Sequence, residues 1–167
     1  MTATTLGKAD LHLHTWASDG MASVKDLLDW VEDCTDLDVV AITDHDTMEG
    51  ALEARSLVQQ KRYRFDLIVG CEITTRHGHL LALDLQEPVP SYRSLEQTVR
   101  AVHRQGGLCI VPHPMSYLTF SVGQRSLERV LRLAAEGGGF DGIETMSETV
   151  AGRVVAGKVR RLNRTRY

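Results

Sequence analysis

At 167 residues, with 43% hydrophobic and 25% charged side chains, the chain has the size and composition of one soluble domain with an ordinary core. No apolar run approaches the roughly 20 residues of a membrane span, and the N-terminus lacks the apolar region of a signal peptide. The formal charge of −3 conceals an acidic body. Setting aside Lys158, Arg160, Arg161, Arg164 and Arg166 near the C-terminus leaves −8. That balance does not suit a general nucleic-acid binder, and the basic end reads as the solvated face of a last helix.

Strand-like and helix-like segments alternate, the pattern of an α/β domain with parallel strands. The first strand carries Asp10-Leu-His-Leu-His14, and its period of two puts Asp10, His12 and His14 on one face and Leu11 and Leu13 on the other. Ser23 is placed to cap a helix whose Val24, Leu27, Leu28 and Val31 share one side. Residues 38–43 read as the second strand. Residues 48–60 read as a helix with the weaker stripe Ala51, Ala54 and Val58.

Residues 67–74 and 79–83 read as consecutive strands turning at Arg76-His77-Gly78, and the proline-containing stretch 86–92 reads as a loop. Ser94-x-x-Gln97 is a capping-box signal for a helix with Leu95, Val99 and Val102 inside. Gly106-Gly107 ends that helix, and 108–111 is a further strand. Leu127, Val130, Leu131 and Ala134 mark another helix, stopped by the glycines at 137–139. A short strand over 141–145 and a C-terminal helix from Met146 complete the pattern. Cys34, Cys71 and Cys109 are odd in number and lack the spacing of a cysteine zinc site. Cys71 and Cys109 lie in strand-like runs and read as buried thiols of a reducing compartment, so a cytoplasmic location is expected.

The chemistry lies in polar residues set in or at the ends of apolar runs. His45 follows Val39–Ile42, Glu72 follows Leu67–Cys71, His79 opens His79-Leu-Leu-Ala-Leu83, and His113 follows Cys109–Pro112. A buried strand tolerates such groups only when they are paired or bound to metal. The His12-x-His14 pair alone reads equally well as two half-buried histidines, but the recurrence of this arrangement favours a metal site. In parallel α/β architectures such loops gather at the C-terminal strand ends, where Asp19, His45, Glu72 and His113 fall. Imidazole and carboxylate donors without thiolate favour zinc, manganese or iron over calcium.

The pieces Asp10-x-His12-x-His14-Thr15, Ser18-Asp19-Gly20, Thr43-Asp44-His45-Asp46, Gly70-x-Glu72-Ile73-Thr74, His79-Leu-Leu and His113-Pro114 together resemble the polymerase and histidinol phosphatase (PHP) superfamily. The resemblance spans residues 9–145. It implies a distorted seven-stranded β/α barrel of the amidohydrolase-like kind, forming a single domain over 1–167. The family closes its metal centre with a late Asp-x-His motif. None occurs before Tyr167, so the chain is expected to be C-terminally incomplete and to lack its last strand or strands.

The resemblance also implies two or three divalent metal ions, Mn²⁺, Zn²⁺ or Fe²⁺. His12, His14 and Glu72 would hold the first, Asp19 and His45 another, and His79 and His113 a third that Glu72 bridges. Asp19, His45 and Glu72 are the expected catalytic residues. Asp44 and Asp46 are expected to support the ligands or to cap a helix. His103 reads as a surface or core histidine, His77 as a solvated turn residue, and Arg125 as a surface residue.

The expected activity is hydrolysis of a small phosphate monoester or nucleotide by a metal-bound hydroxide, without a covalent enzyme intermediate. The expected partner is a small phosphorylated substrate, with no membrane and no stable nucleic-acid binding. The alternatives are a 3′–5′ exonuclease or proofreading module, disfavoured by 5% aromatic content, and a non-catalytic, metal-stabilised domain.

Overall fold

The computed structural model describes residues 6–132, 139–145 and 155–161. Among them run β1 (Ala9–Leu13), α1 (Val24–Cys34), β2 (Val39–Ile42), α2 (Glu49–Lys61), β3 (Asp66–Thr75), β4 (Gly78–Leu83), α3 (Leu95–His103), β5 (Leu108–Val111), α4 (Gln124–Arg132) and β6 (Gly142–Ile143). A helical stretch over 155–161 follows. The expected stop of α4 at Ala134 and the glycines 137–138, and the start of the last helix at Met146, fall outside the described residues. The strands are ordered β1-β2-β3-β4-β5-β6. The chain divides into two compact units, residues 1–71 and 72–167.

In the first unit β1, β2 and the start of β3 are parallel, with Val40 beside both Asp10 and Leu67. Parallel neighbours require crossovers, and α1 and α2 supply them. Ser23 caps α1 by accepting the Asp26 N–H, and the helix buries Val24, Leu28 and Val31. Ala51 and Ala54 bury the inner side of α2, where small side chains let the helix approach α1 and β2. The core continues through Val40, Ala41, Ile42 and Phe65. Leu11 and Leu13 are only half-buried, because β1 stands at the edge of the strand order. The β1–β2 register shifts between Asp10 and Leu13. An irregularity of this kind re-aims side chains at a strand end.

In the second unit β4 breaks the parallel pattern. The link between β3 and β4 is two residues long, too short for any crossover, so β4 reverses direction and runs antiparallel to β5. Parallel pairing resumes between β5 and β6. The capping box predicted at Ser94 is present, with Ser94 and Gln97 satisfying each other's backbone N–H. Leu95, Val99 and Val102 of α3 are fully buried. Leu127 and Val130 seat α4.

Two outcomes follow. Replacing Ser94 by Ala leaves N-terminal donors of α3 unsatisfied and is expected to cost about 1 kcal/mol by urea denaturation. The second concerns Asp29, which accepts from Lys25, Tyr63 and Lys61. These partners hold its carboxyl well below the usual carboxylate range, Lys25 contributing most, then Tyr63 and Lys61. A depressed folded-state pKa contributes stability above the unfolded value and loses it as the pH falls below about 4. The urea midpoints of wild type and Asp29→Asn should therefore converge as the pH is lowered from about 6 to about 2.

Candidate metal centres

In the first unit the loop after β1 and the loop after β2 carry the expected ligands. His14 Nδ1 lies 2.8 Å from Asp19 Oδ1, and His45 Nε2 lies 3.7 Å from Asp19 Oδ2. The rings of His14 and His45 are 4.7 Å apart, and His12 sits 5.1 Å from His14. The imidazoles are partly buried while the Asp19 side chain is 68% exposed. His14, His45 and Asp19 therefore converge, with His12 beside them.

Asp44 builds this loop rather than joining the ligands. It is completely buried. Its Oδ1 accepts from the Thr15 N–H at 2.7 Å and the Ser18 hydroxyl at 2.6 Å, and its Oδ2 accepts from the Thr15 hydroxyl at 2.8 Å. Three charge-assisted hydrogen bonds tie residues 15–18 to the end of β2 and set where Asp19 stands. Of the two expected roles, Asp44 takes support and not capping, since α2 is preceded by Met48 without a side-chain cap. Gly50 is required by the same contact, because a Cβ there would lie 2.2 Å from Asp44 Oδ2.

In the second unit Glu72 is 1% exposed on β3, and its Oε1 lies 3.0 Å from both His79 Nδ1 and His113 Nε2. The reversal of β4 explains the meeting. The register Leu81↔Ile110 and Ala82↔Cys109 brings the start of β4, with His79, alongside the end of β5, beyond which His113 stands. The loop after β5 folds back through His79 N–H to Phe120 O and Met115 N–H to Val122 O. It presses so closely on Gly78 that a Cβ would lie 2.4 Å from the Val122 nitrogen, and Gly78 holds φ +125. His113 itself has a positive φ of 32.

His113 is held from several sides. Its N–H donates to Glu144 Oε2 at 2.7 Å, and its Nδ1 meets Ser121 Oγ at 2.8 Å and Thr119 Oγ1 at 3.1 Å. The tautomer that donates Nδ1–H to Ser121 leaves the Nε2 lone pair facing Glu72, the form a ligating histidine needs. Thr119, Ser121 and Glu144 were not legible as site residues in the sequence. They lie 6, 8 and 31 positions from His113, and only the folded loop brings them to it.

The donors fit a divalent cation. A carboxylate oxygen facing two imidazole nitrogens in an apolar strand environment is stable only with positive charge among them. The 3.0 Å edges are close to the ~3.3 Å that separates tetrahedral ligands bound at about 2.0–2.1 Å. His77 lies in the turn before β4, within reach of Arg129, and Arg125 is exposed in the first turn of α4. Neither joins a cluster.

The PHP domain model matches residues 10–154. The chain belongs to the PHP domain family. Within curated proteins it is similar to an uncharacterized protein of Methanocaldococcus jannaschii, 36% identical over 129 residues that cover 71% of this chain and 74% of the relative. A 5′-3′ exoribonuclease of Haemophilus influenzae is 33% identical over 102 residues, 59% of this chain and 36% of the relative. The chain thus spans about a third of that enzyme's length.

Two solved structures share the fold of this PHP domain. One is a two-domain protein from Bacteroides vulgatus containing a predicted PHP-like metal-dependent phosphoesterase. It has TM-score 0.65 and 22% identity, over 84% of this chain and 44% of that one. The other is an amidohydrolase from Chromobacterium violaceum, with TM-score 0.61 and 19% identity over 83% and 76%. The fold is therefore α/β, six-stranded among the described residues and of the PHP/amidohydrolase-like kind.

Glu72→Gln is expected to weaken Mn²⁺ binding, read by titration calorimetry, by at least about ten-fold. His77→Ala should leave it unchanged, and equal affinity in the two variants would remove Glu72 from the ligand set.

Proposed function

We propose that this PHP domain is a metal-dependent phosphoesterase that hydrolyses a small phosphate monoester or a nucleotide. The observation that carries the reading is the buried Glu72 carboxylate with His79 and His113 each 3.0 Å away. Family membership supports it. The proposed ligands are His12, His14, Asp19 and His45 in the first unit and Glu72, His79 and His113 in the second. The proposed catalytic residues are Asp19, His45 and Glu72. Bound divalent ions would lower the pKa of water towards 7 and neutralise charge on the phosphoryl oxygens.

The chain's own groups set the conditions for that chemistry. Glu72, shielded from water, offers its oxygens to a cation without first shedding a hydration shell. Ser121 and Glu144 fix His113, so little reorganisation is needed on binding. Asp44 holds the 15–18 loop, so that Asp19 reaches solvent from a rigid base. Asp19 Oδ2 and His45 Nε2 stand 3.7 Å apart, two proposed ligands that solvent and a substrate can both reach.

A second reading, cleavage of short RNA from its 5′ end, is favoured by one feature besides the exoribonuclease relative. Tyr117 and Phe120 are 85% and 49% exposed in the loop that follows His113. Exposed aromatic faces in a loop beside the proposed ligands suit base stacking.

The test is chelator-sensitive phosphate release from mononucleotides, nucleoside bisphosphates, short RNA and single-stranded DNA in the presence of Mn²⁺. Release from the small substrates, abolished by EDTA and reduced at least about a hundred-fold in Glu72→Gln, is the expected result. Stepwise shortening of RNA with Tyr117→Ala raising KM would favour the second reading, and shortening of DNA from the 3′ end would favour a proofreading nuclease. Metal binding without hydrolysis of any substrate would refute the proposal.

A further inference from the structure

A second group of metal-ligating side chains lies in the unit of residues 72–167, at the opposite ends of the strands from His113. His103, Cys109 and Asp141 each offer a ligand atom, and the three atoms lie within 4.8 Å of one another. His103 is the last residue of α3, Cys109 is near the start of β5, and Asp141 immediately precedes β6. The parallel pairing of β5 and β6, with Ile110 beside Gly142, sets Cys109 against Asp141. The Asp141 N–H donates to Cys109 O at 2.8 Å, and the Cys109 N–H donates to Asp141 Oδ2 at 2.7 Å.

His103 is delivered by a turn that only glycines permit. Gly106 has φ +85, and a Cβ on Gly107 would lie 2.7 Å from Leu83 O. The tight return carries His103 Nε2 to within 2.8 Å of Asp141 Oδ2. Cys109 lies within β5 and His113 beyond its end, so the two groups stand towards opposite ends of that strand.

We propose that His103, Cys109 and Asp141 form a binding site for a thiophilic divalent cation, of the zinc class, that pins the end of α3 to the starts of β5 and β6. One imidazole, one thiolate and one carboxylate are the ligand types zinc takes, and three protein ligands leave a fourth position for water. The thiolate sets this site apart from the His/carboxylate clusters, because sulfur adds a soft donor that they lack. The Cys109 side chain is wholly buried. Burial, and then the Asp141 charge, push its thiol well above the ordinary range. Without a cation the sulfur stays protonated. On binding, the S–H proton leaves to solvent and the sulfur bonds the cation, whose charge offsets both Asp141 and the new thiolate. The His103 and Asp141 side chains are 24% and 36% exposed, which gives an ion a way in from solvent.

The test uses the full chain, stripped with chelator and reloaded with Co²⁺, because a cobalt–thiolate bond gives a near-ultraviolet charge-transfer band that His/carboxylate ligation does not. The band is expected in wild type, Cys34→Ser, Cys71→Ser and His79→Gln, and is expected to vanish in Cys109→Ser. His103→Gln and Asp141→Asn, which remove no core volume, should weaken the Co²⁺ affinity read from that band at least ten-fold. Zn²⁺ should raise the Tm of Glu72→Gln by more than that of the double variant Glu72→Gln/His103→Gln. Folded wild type without the band, or a band that survives in Cys109→Ser or disappears in Cys71→Ser, would overturn the proposal. Should Cys109→Ser fail to fold, unchanged Co²⁺ affinity in both His103→Gln and Asp141→Asn would overturn it equally.

Discussion

Burying one carboxylate in an apolar strand is the constraint around which the second unit is arranged. Glu72 stands on β3 between Cys71 and Ile73, both withdrawn from water. A charge in that setting costs several kcal/mol unless it is compensated in place. His79 and His113 face it, with a cation that they would share as the compensation, and each is where it is because of backbone decisions elsewhere. The two-residue link between β3 and β4 reverses β4 and carries His79 back past the end of β5. The loop 114–122 folds over Gly78 and clamps His113 through Ser121. The cluster is therefore a product of strand direction as much as of residue choice.

The first unit meets a similar demand differently. There the compensated buried carboxylate is Asp44, and its partners are neutral donors: the Thr15 N–H and the Thr15 and Ser18 hydroxyls. These bonds turn both oxygens of Asp44 inward and leave Asp19 as the carboxylate that faces His14, His45 and solvent. Two aspartates of the same chemistry thus have separate places, one as buried scaffold and the other exposed beside His14 and His45. Burial decides which is which, and Gly50 maintains the division by leaving room for the Asp44 side chain.

The parallel strands β5 and β6 organise chemistry at both of their ends. Beyond their C-terminal ends Glu144 holds the backbone of His113. At their N-terminal ends Asp141 holds Cys109 and His103. Because β6 is only two residues long, it contributes little surface to the core. Its weight in the fold comes from the acids that flank it, Asp141 binding Cys109 within β5 and Glu144 binding His113 just beyond it. This explains why so short a strand keeps a defined register.

The amino-acid sequence by itself determined the succession of elements, because hydrophobic period, capping residues and glycine stops are local signals. Ser23 and Ser94 with Gln97 stand in the structure where the residues place them, and the turn read over Arg76-His77-Gly78 spans Arg76-His77, with Gly78 opening β4. It also singled out the polar groups that apolar runs could not leave unaccompanied, His12, His14, His45, Glu72, His79 and His113. Tertiary structure alone decided which of these share a contact, since His79 meets Glu72 only through an antiparallel β4 and His113 only through a folded loop. It also decided that Asp44 is a scaffold and that His103 stands with Cys109 and Asp141. Pairings between residues 26 to 41 positions apart depend on strand register and direction, which no local pattern of side chains encodes.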